Sequence, residues 1–185
     1  MNRHVANLML AAGLLSLSDA ALAEGWTWLP VMEPGYKSNL TVSAVGGQMK
    51  PANVASGGYV GAEVAFNCLL LQPPSGVIRS KISYGEFDHA GTKISTFEVN
   101  PRWTTNLTDD LTFGIGPGIG YVTAKVGGQS VGMMAGQVGA DLDYRLGALN
   151  LGLGVRWQGT ENKLVAAGRK GADNTLVQAK LGFSF

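Results

Sequence analysis

The chain has 185 residues, with 14 Lys+Arg against 13 Asp+Glu and a formal net charge of +1. That balance, without a clustered basic stretch, excludes the electrostatic footprint of a nucleic-acid binder. Charged residues make up 15% of the chain and glycine occurs 27 times, a charge content low against the soluble average of about 25%. The single cysteine, Cys68, excludes an internal disulfide.

The first element is a targeting segment. Met1-Asn2-Arg3-His4 is a short polar start, Val5 to Leu17 is largely apolar, and Ala21-Leu22-Ala23 has the small-x-small pattern of a signal-peptidase site. Cleavage is expected after Ala23, so residues 1–23 are set aside from the fold and the protein is expected to be exported. The remainder, roughly 160 residues, has the size of one domain. Residues 24–37 follow without regular alternation. Trp26 and Trp28 make this segment aromatic, and Pro30 and Pro34 discourage a sheet interior. It is expected to precede the sheet on the periplasmic side, with its aromatics resting at a membrane interface or capping the sheet's mouth.

From residue 38 onward apolar and polar residues alternate with a period of two, which puts them on opposite faces of a strand. Eight strands are expected, near 38–47, 58–68, 77–87, 93–103, 111–125, 131–145, 149–158 and 177–185. The seventh is the clearest: Leu149, Leu151, Leu153, Val155 and Trp157 oppose Asn150, Gly152, Gly154, Arg156 and Gln158. In the fifth, Phe113, Ile115, Ile119 and Tyr121 oppose a glycine face. The first half of the sixth, Val131-Gly132-Met133-Met134-Ala135, fits either phase, and a bulge is possible there. Pro117 in mid-strand removes one ladder donor, which a bulge or kink would accommodate. Gln72-Pro73-Pro74-Ser75-Gly76, Asn106–Asp110, Gly127-Gly128-Gln129 and Gly171–Asn174 are turn formers. No later stretch is apolar for long enough to make a transmembrane helix, but each strand has about the 9–11 residues that a tilted barrel strand needs to cross a bilayer.

Alternation alone also fits a soluble sandwich. Two features favour a transmembrane antiparallel up-and-down barrel of eight strands. Glu63, Arg79, Lys81, Glu98, Arg102, Asp141, Asp143, Arg145, Arg156 and Lys180 all fall opposite the apolar face. In a barrel they would meet in the lumen as a network of mixed sign, and glycines suit so narrow a bore. Tyr84, Trp103, Tyr121, Tyr144, Trp157 and Phe185 stand near strand ends on the apolar face, as interfacial girdles do.

Ala21-Leu22-Ala23, the stretch Asn106-Leu107-Thr108-Asp109-Asp110-Leu111-Thr112-Phe113-Gly114-Ile115-Gly116-Pro117-Gly118-Ile119-Gly120-Tyr121, and the last strand ending on Phe185 together resemble the OmpA-like and opacity-type small outer-membrane β-barrels. The resemblance spans residues 38–185. It implies an outer-membrane location, both termini in the periplasm, and outward loops at Lys50–Gly57, Asp88–Thr92, Val126–Gln129 and Gly159–Asp173. It implies outer-membrane lipids and lipopolysaccharide as surroundings. It also implies recognition of the last strand, through Val177, Ala179, Leu181, Phe183 and Phe185, by the barrel-assembly machinery.

The candidate chemistry is sparse. His89 is the one histidine after the targeting segment and is expected in a loop beside Asp88. The lipid A deacylases that this size and fold resemble carry a serine two residues after their histidine, where this chain has Gly91. No catalytic residue, metal site or cofactor is therefore expected. Asp109-Asp110 suit a turn and Asp141/Asp143 suit lumenal arginines, and neither pair has the spacing of a calcium loop. Cys68 reads as a small apolar side chain. Lys163, Arg169 and Lys170 in the long last loop are candidates for lipopolysaccharide phosphates. The expected role is structural or surface-interacting with a side-chain-plugged lumen. A narrow pore for small solutes or ions is the alternative, and a lipid A-modifying enzyme is disfavoured.

Overall fold

A computed structural model describes residues 25–185 apart from residue 167. The expected targeting segment lies outside the described residues.

Eight strands close into one antiparallel barrel: β1 Thr41–Pro51, β2 Gly57–Asn67, β3 Val77–His89, β4 Thr92–Asn106, β5 Leu111–Val126, β6 Gln129–Leu146, β7 Leu149–Thr160 and β8 Asn174–Ser184. Each pairs with its sequence neighbours, and β8 pairs with both β7 and β1, so closure leaves no free edge. The start of β1 and the end of β8 share one end, here the terminal end, with the turns β2–β3, β4–β5 and β6–β7. The other four connections form the loop end. The tightest are Ala90-Gly91 and Gly127-Gly128. Both residues of each have positive φ, 50° and 70°, then 56° and 83°, as a two-residue hairpin turn matched to the strand twist requires.

The faces are inverted relative to a soluble protein. Outward-pointing Val60, Phe97, Ile119, Leu153, Val177 and Leu181 are exposed, and Leu153 keeps 63% of its accessible surface. Inward-pointing Glu63, Lys81, Glu98, Arg102, Asp141, Arg156 and Lys180 are buried, and Lys81 keeps 2%. Water outside such a barrel would solvate the wrong face, whereas hydrocarbon outside satisfies both. Tyr84, Phe97, Tyr121 and Met134 lie side by side across β3 to β6 as one exposed belt towards the loop end. Trp103, Tyr144 and Phe185 stand exposed towards the terminal end.

Some boundaries differ from the sequence reading. β1 continues through Gln48, Met49, Lys50 and Pro51, because Met49 turns fully inward while Lys50 points out. Gly46 and Gly47 had hidden that alternation. β6 pairs with β5 without a register shift from Gln129 to Tyr144, so it contains no bulge. Met133 and Ala135 are inward and Met134 is outward. His89 is the last residue of β3, paired with Thr92, rather than a loop residue, and Cys68 lies just past β2 with its N–H bonded to the Ile78 carbonyl at 2.7 Å.

Nor does Pro117 sit in a bulge. Val99 pairs with Ile119 and Trp103 with Ile115 at one constant offset, and the ladder lapses only over Asn100, Pro101 and Arg102. That offset sets Pro101 directly opposite Pro117. Neither has an N–H, so both bonds of one hydrogen-bonded pair are deleted together and the register survives. The Arg102 guanidinium replaces one of the two missing donors, its Nη1 bonding the Pro117 carbonyl at 2.9 Å and also the neighbouring Gly116 carbonyl at 2.7 Å.

The segment before β1 runs beside the terminal end. Thr27–Trp28 pairs with Leu71–Gln72 in the β2–β3 turn, and a single 3-10 turn covers Pro30–Met32. Tyr36 Oη donates to the Asn67 carbonyl at 2.6 Å. Trp28 and Met32 are exposed.

Candidate functional site

The lumen is layered, and period-two placement sets each layer. At mid-height β2 contributes Glu63, β3 Lys81, β4 Arg102, β6 Asp141 and Asp143, and β8 Lys180. Lys180 Nζ lies 2.9 Å from Asp141 and 3.2 Å from Glu63. Lys81 Nζ lies 3.1 Å from Asp143 and 3.2 Å from Asp141. Arg102 Nε donates to Asp141 Oδ2 at 3.2 Å. Three cations and three carboxylates thus neutralise one another in a medium where an unpaired charge is costly. Cross-strand glycines make the room: Lys180 pairs with Gly152, and Arg156 with Gly139. A Cβ on Gly152 would stand 2.5 Å from Asp143 Oδ1, and one on Gly139 2.6 Å from Arg102 Nη2.

One step towards the loop end, Glu98 and Arg156 form an ion pair inside a ring of amides. Asn100 and Gln137 donate to Glu98 Oε2 at 3.0 and 3.1 Å. Gln158 donates to Gln137 and Asn174 to Gln158 at 3.0 and 2.9 Å, and Arg156 Nη2 closes on Asn174 Oδ1 at 2.9 Å. The sequence reading missed these amides. They share the inward phase of the charges, and that phase was the available signal. The void left between the two layers is about 20 Å³, room for roughly one water.

Nearest the loop end the bore is apolar. Val45, Met49, Tyr59, Phe87, Ile94, Val122, Met133 and Leu176 form one buried cluster with Val165 and Ala172 of the β7–β8 loop. That loop carries a small ribbon, Leu164–Ala166 against Arg169–Lys170. Asp173 holds the loop's base by accepting from Thr160 N at 2.8 Å. At the terminal end, by contrast, the lumen opens as a polar well of about 270 Å³, whose lining includes Thr41, Arg79, Asn106, Arg145 and Asn150.

Of the ten lumenal charges read from the sequence, eight (Glu63, Lys81, Glu98, Arg102, Asp141, Asp143, Arg156 and Lys180) enter ion pairs. Arg79 and Arg145 form none among the described residues and face the well. Of the three loop cations, Lys163 is tied to Glu161 at 2.8 Å. Arg169 turns inward to donate to Thr92 Oγ1 at 3.3 Å, and burial pushes its guanidinium down. Lys170 is exposed. The hydrogen bond from Lys163, then that from the Met134 N–H, holds the Glu161 carboxyl below its ordinary range. Val177, Ala179, Leu181, Phe183 and Phe185 all point outward and are exposed. His89 is exposed at the rim, edge-on to Phe87 with ring centroids 6.3 Å apart.

No family model and no curated protein matches the chain. Solved structures do. Neisserial surface protein A aligns with a TM-score of 0.55 at 11% identity, over 79% of this chain and 96% of that one. The N-terminal β-barrel domain of Pseudomonas aeruginosa OprF aligns with a TM-score of 0.54 at 12% identity, over 80% and 100%. The fold is that of a small outer-membrane β-barrel. The outer membrane enzyme PagL also aligns, with a TM-score of 0.50 at 18% identity over 77% and 97%. At these identities the likeness is one of architecture, shared by barrels that differ in what they do. The exposed apolar belt and the buried charges independently make this chain a membrane-spanning barrel.

Proposed function

We propose that the protein is a non-conducting outer-membrane barrel with a structural or surface-interaction role, its termini in the periplasm and its loop end outward. The carrying observation is the apolar cluster at the loop end, in which Met49, Phe87, Ile94, Val122 and Met133 are fully buried inside the bore beneath Val165. An ion crossing it would shed its water against little more than the Tyr59 and Thr96 hydroxyls, a cost of several kcal/mol. The amide and charge layers beneath it support the same reading, since their void holds only about one water.

Bilayer recording tests it. The purified barrel is expected to stay electrically silent, and stable unitary currents would establish the narrow pore instead. Removal of lipid A acyl chains upon expression would replace the structural reading with an enzymatic one. For surface interaction, Lys170 is the loop cation we place against lipopolysaccharide phosphate, because Lys163 and Arg169 are engaged within the protein. Lys170→Gln is expected to weaken lipopolysaccharide binding, and unchanged binding would remove that assignment.

A further inference from the structure

We propose that the terminal-end well is a binding site for a small oxyanion, held between the guanidinium groups of Arg79 and Arg145. The inference goes beyond the structural reading and stands whether or not the bore conducts.

The well is a blind polar pocket of about 270 Å³, with the Lys81–Lys180–Glu63–Asp143 cluster as its floor. The charges of that floor are already satisfied: Lys81, Lys180 and Arg102 are matched by Glu63, Asp141 and Asp143 at 2.9–3.9 Å. Arg79 and Arg145 are therefore surplus. Arg79 Nη2 donates only to neutral acceptors, the Asn39 carbonyl at 3.0 Å and Thr41 Oγ1 at 3.1 Å. Arg145 bonds through its backbone N–H to the Asp110 carbonyl at 2.8 Å, and its guanidinium has no protein partner among the described residues. Asp109 and Asp110 line the rim, yet neither forms an ion pair with these arginines.

Two guanidinium groups face one pocket without a carboxylate partner: the Arg145 fork is unused, and the Arg79 fork meets only neutral acceptors. Phosphate and carboxylate groups fit such forks in charge and geometry. Apart from the rim carboxylates Asp109 and Asp110, the surrounding side chains, Thr41, Ser43, Asn106 and Asn150, offer neutral hydrogen-bonding groups. The apolar cap at the opposite end leaves the terminal end as the entrance, which selects a ligand small enough to enter there.

The test is calorimetric titration of inorganic phosphate into the refolded full-length barrel in a zwitterionic detergent and a phosphate-free buffer. One saturable site is expected. Arg79→Gln and Arg145→Gln are each expected to weaken it at least tenfold. Asp109→Asn with Asp110→Asn is expected to tighten it by removing the rim's negative charge, while Lys125→Gln, exposed at the other end, leaves it unchanged. Folding of each variant is checked by its heat-dependent gel migration. Should Arg79→Gln fail to fold, Arg145→Gln at the exposed mouth carries the test alone. Absence of saturable binding to the folded wild type, or binding that ignores Arg145→Gln, overturns the proposal.

Discussion

Arg102 joins two features that would each be costly alone. Its Nε pairs with Asp141 at 3.2 Å, and its Nη1 serves two carbonyls, at 2.7 and 2.9 Å, in the gap that Pro101 and Pro117 leave in the ladder. In Arg102→Met both carbonyls lose a charged donor, and each such bond is worth about 1.5–3 kcal/mol. Asp141 keeps Lys81 and Lys180, but the mid-height layer is left with three carboxylates against two cations, so the total is expected at about 3–5 kcal/mol, the range for breaking a buried pair. Pro101→Val supplies the separate check. Pro101 points outward, so valine meets lipid and restores an N–H opposite the Pro117 carbonyl. In the wild-type background that carbonyl is already satisfied and the change is near neutral. With Arg102→Met it recovers about 1 kcal/mol. Urea unfolding of the four proteins in detergent or vesicles, followed by tryptophan fluorescence, completes the cycle. Additivity within about 0.5 kcal/mol, or an Arg102→Met loss below about 1 kcal/mol, refutes the substitution of side chain for ladder.

Leu153→Arg tests the inverted faces. Leu153 is 63% exposed at the middle of β7, so the variant is expected to lose about 2–4 kcal/mol in a bilayer, measured as the urea midpoint of vesicle-inserted protein. A neutral result would mean that water, not hydrocarbon, surrounds the barrel. Glu161 predicts a pH dependence at the loop end. Its depressed pKa means that its anchoring of the loop is fully present above the unfolded value of about 4.3 and is lost as pH falls through the lower folded value. The protection factor of the Met134 amide, which donates to Glu161 at 3.0 Å, is expected to drop over that window. Glu161→Gln should abolish the pH dependence, and an unchanged acid response in that variant would assign the effect elsewhere.

The strands were legible because the period of two is a local property, and it survived wherever side chains carried it. It failed at Gly46-Gly47, which have no side chain to assign to a face, and β1 runs four residues past that point. It was ambiguous at Val131–Ala135, where Met133 and Met134 are equally apolar but only Met133 is buried. The ordering of the lumenal charges into pairs was not legible, since it depends on shear around a closed sheet. Lys180 reaches Glu63 across 117 positions of sequence, and nothing local marks it. The Pro101–Pro117 pairing was hidden for the same reason. Pro117 alone reads as a defect, and only the register shows Pro101 opposite it. The surplus of Arg79 and Arg145 was invisible too, because counting inward charges does not say which of them touch.

The layering also gives the bore a direction. A barrel filled only by apolar side chains would lose little if neighbouring strands slipped by two residues, because the faces would still match. Ion pairs and amide bonds at 2.9–3.2 Å do not tolerate such a slip, since each broken pair leaves a buried charge unsatisfied. Polar contacts at mid-height therefore fix the register, while the apolar cluster at the loop end supplies packing that depends less on alignment. The well lies on the terminal side of that fixed layer. Its two unmatched arginines stand where a charge can still be exchanged with solvent without disturbing the pairs that hold the strands in place.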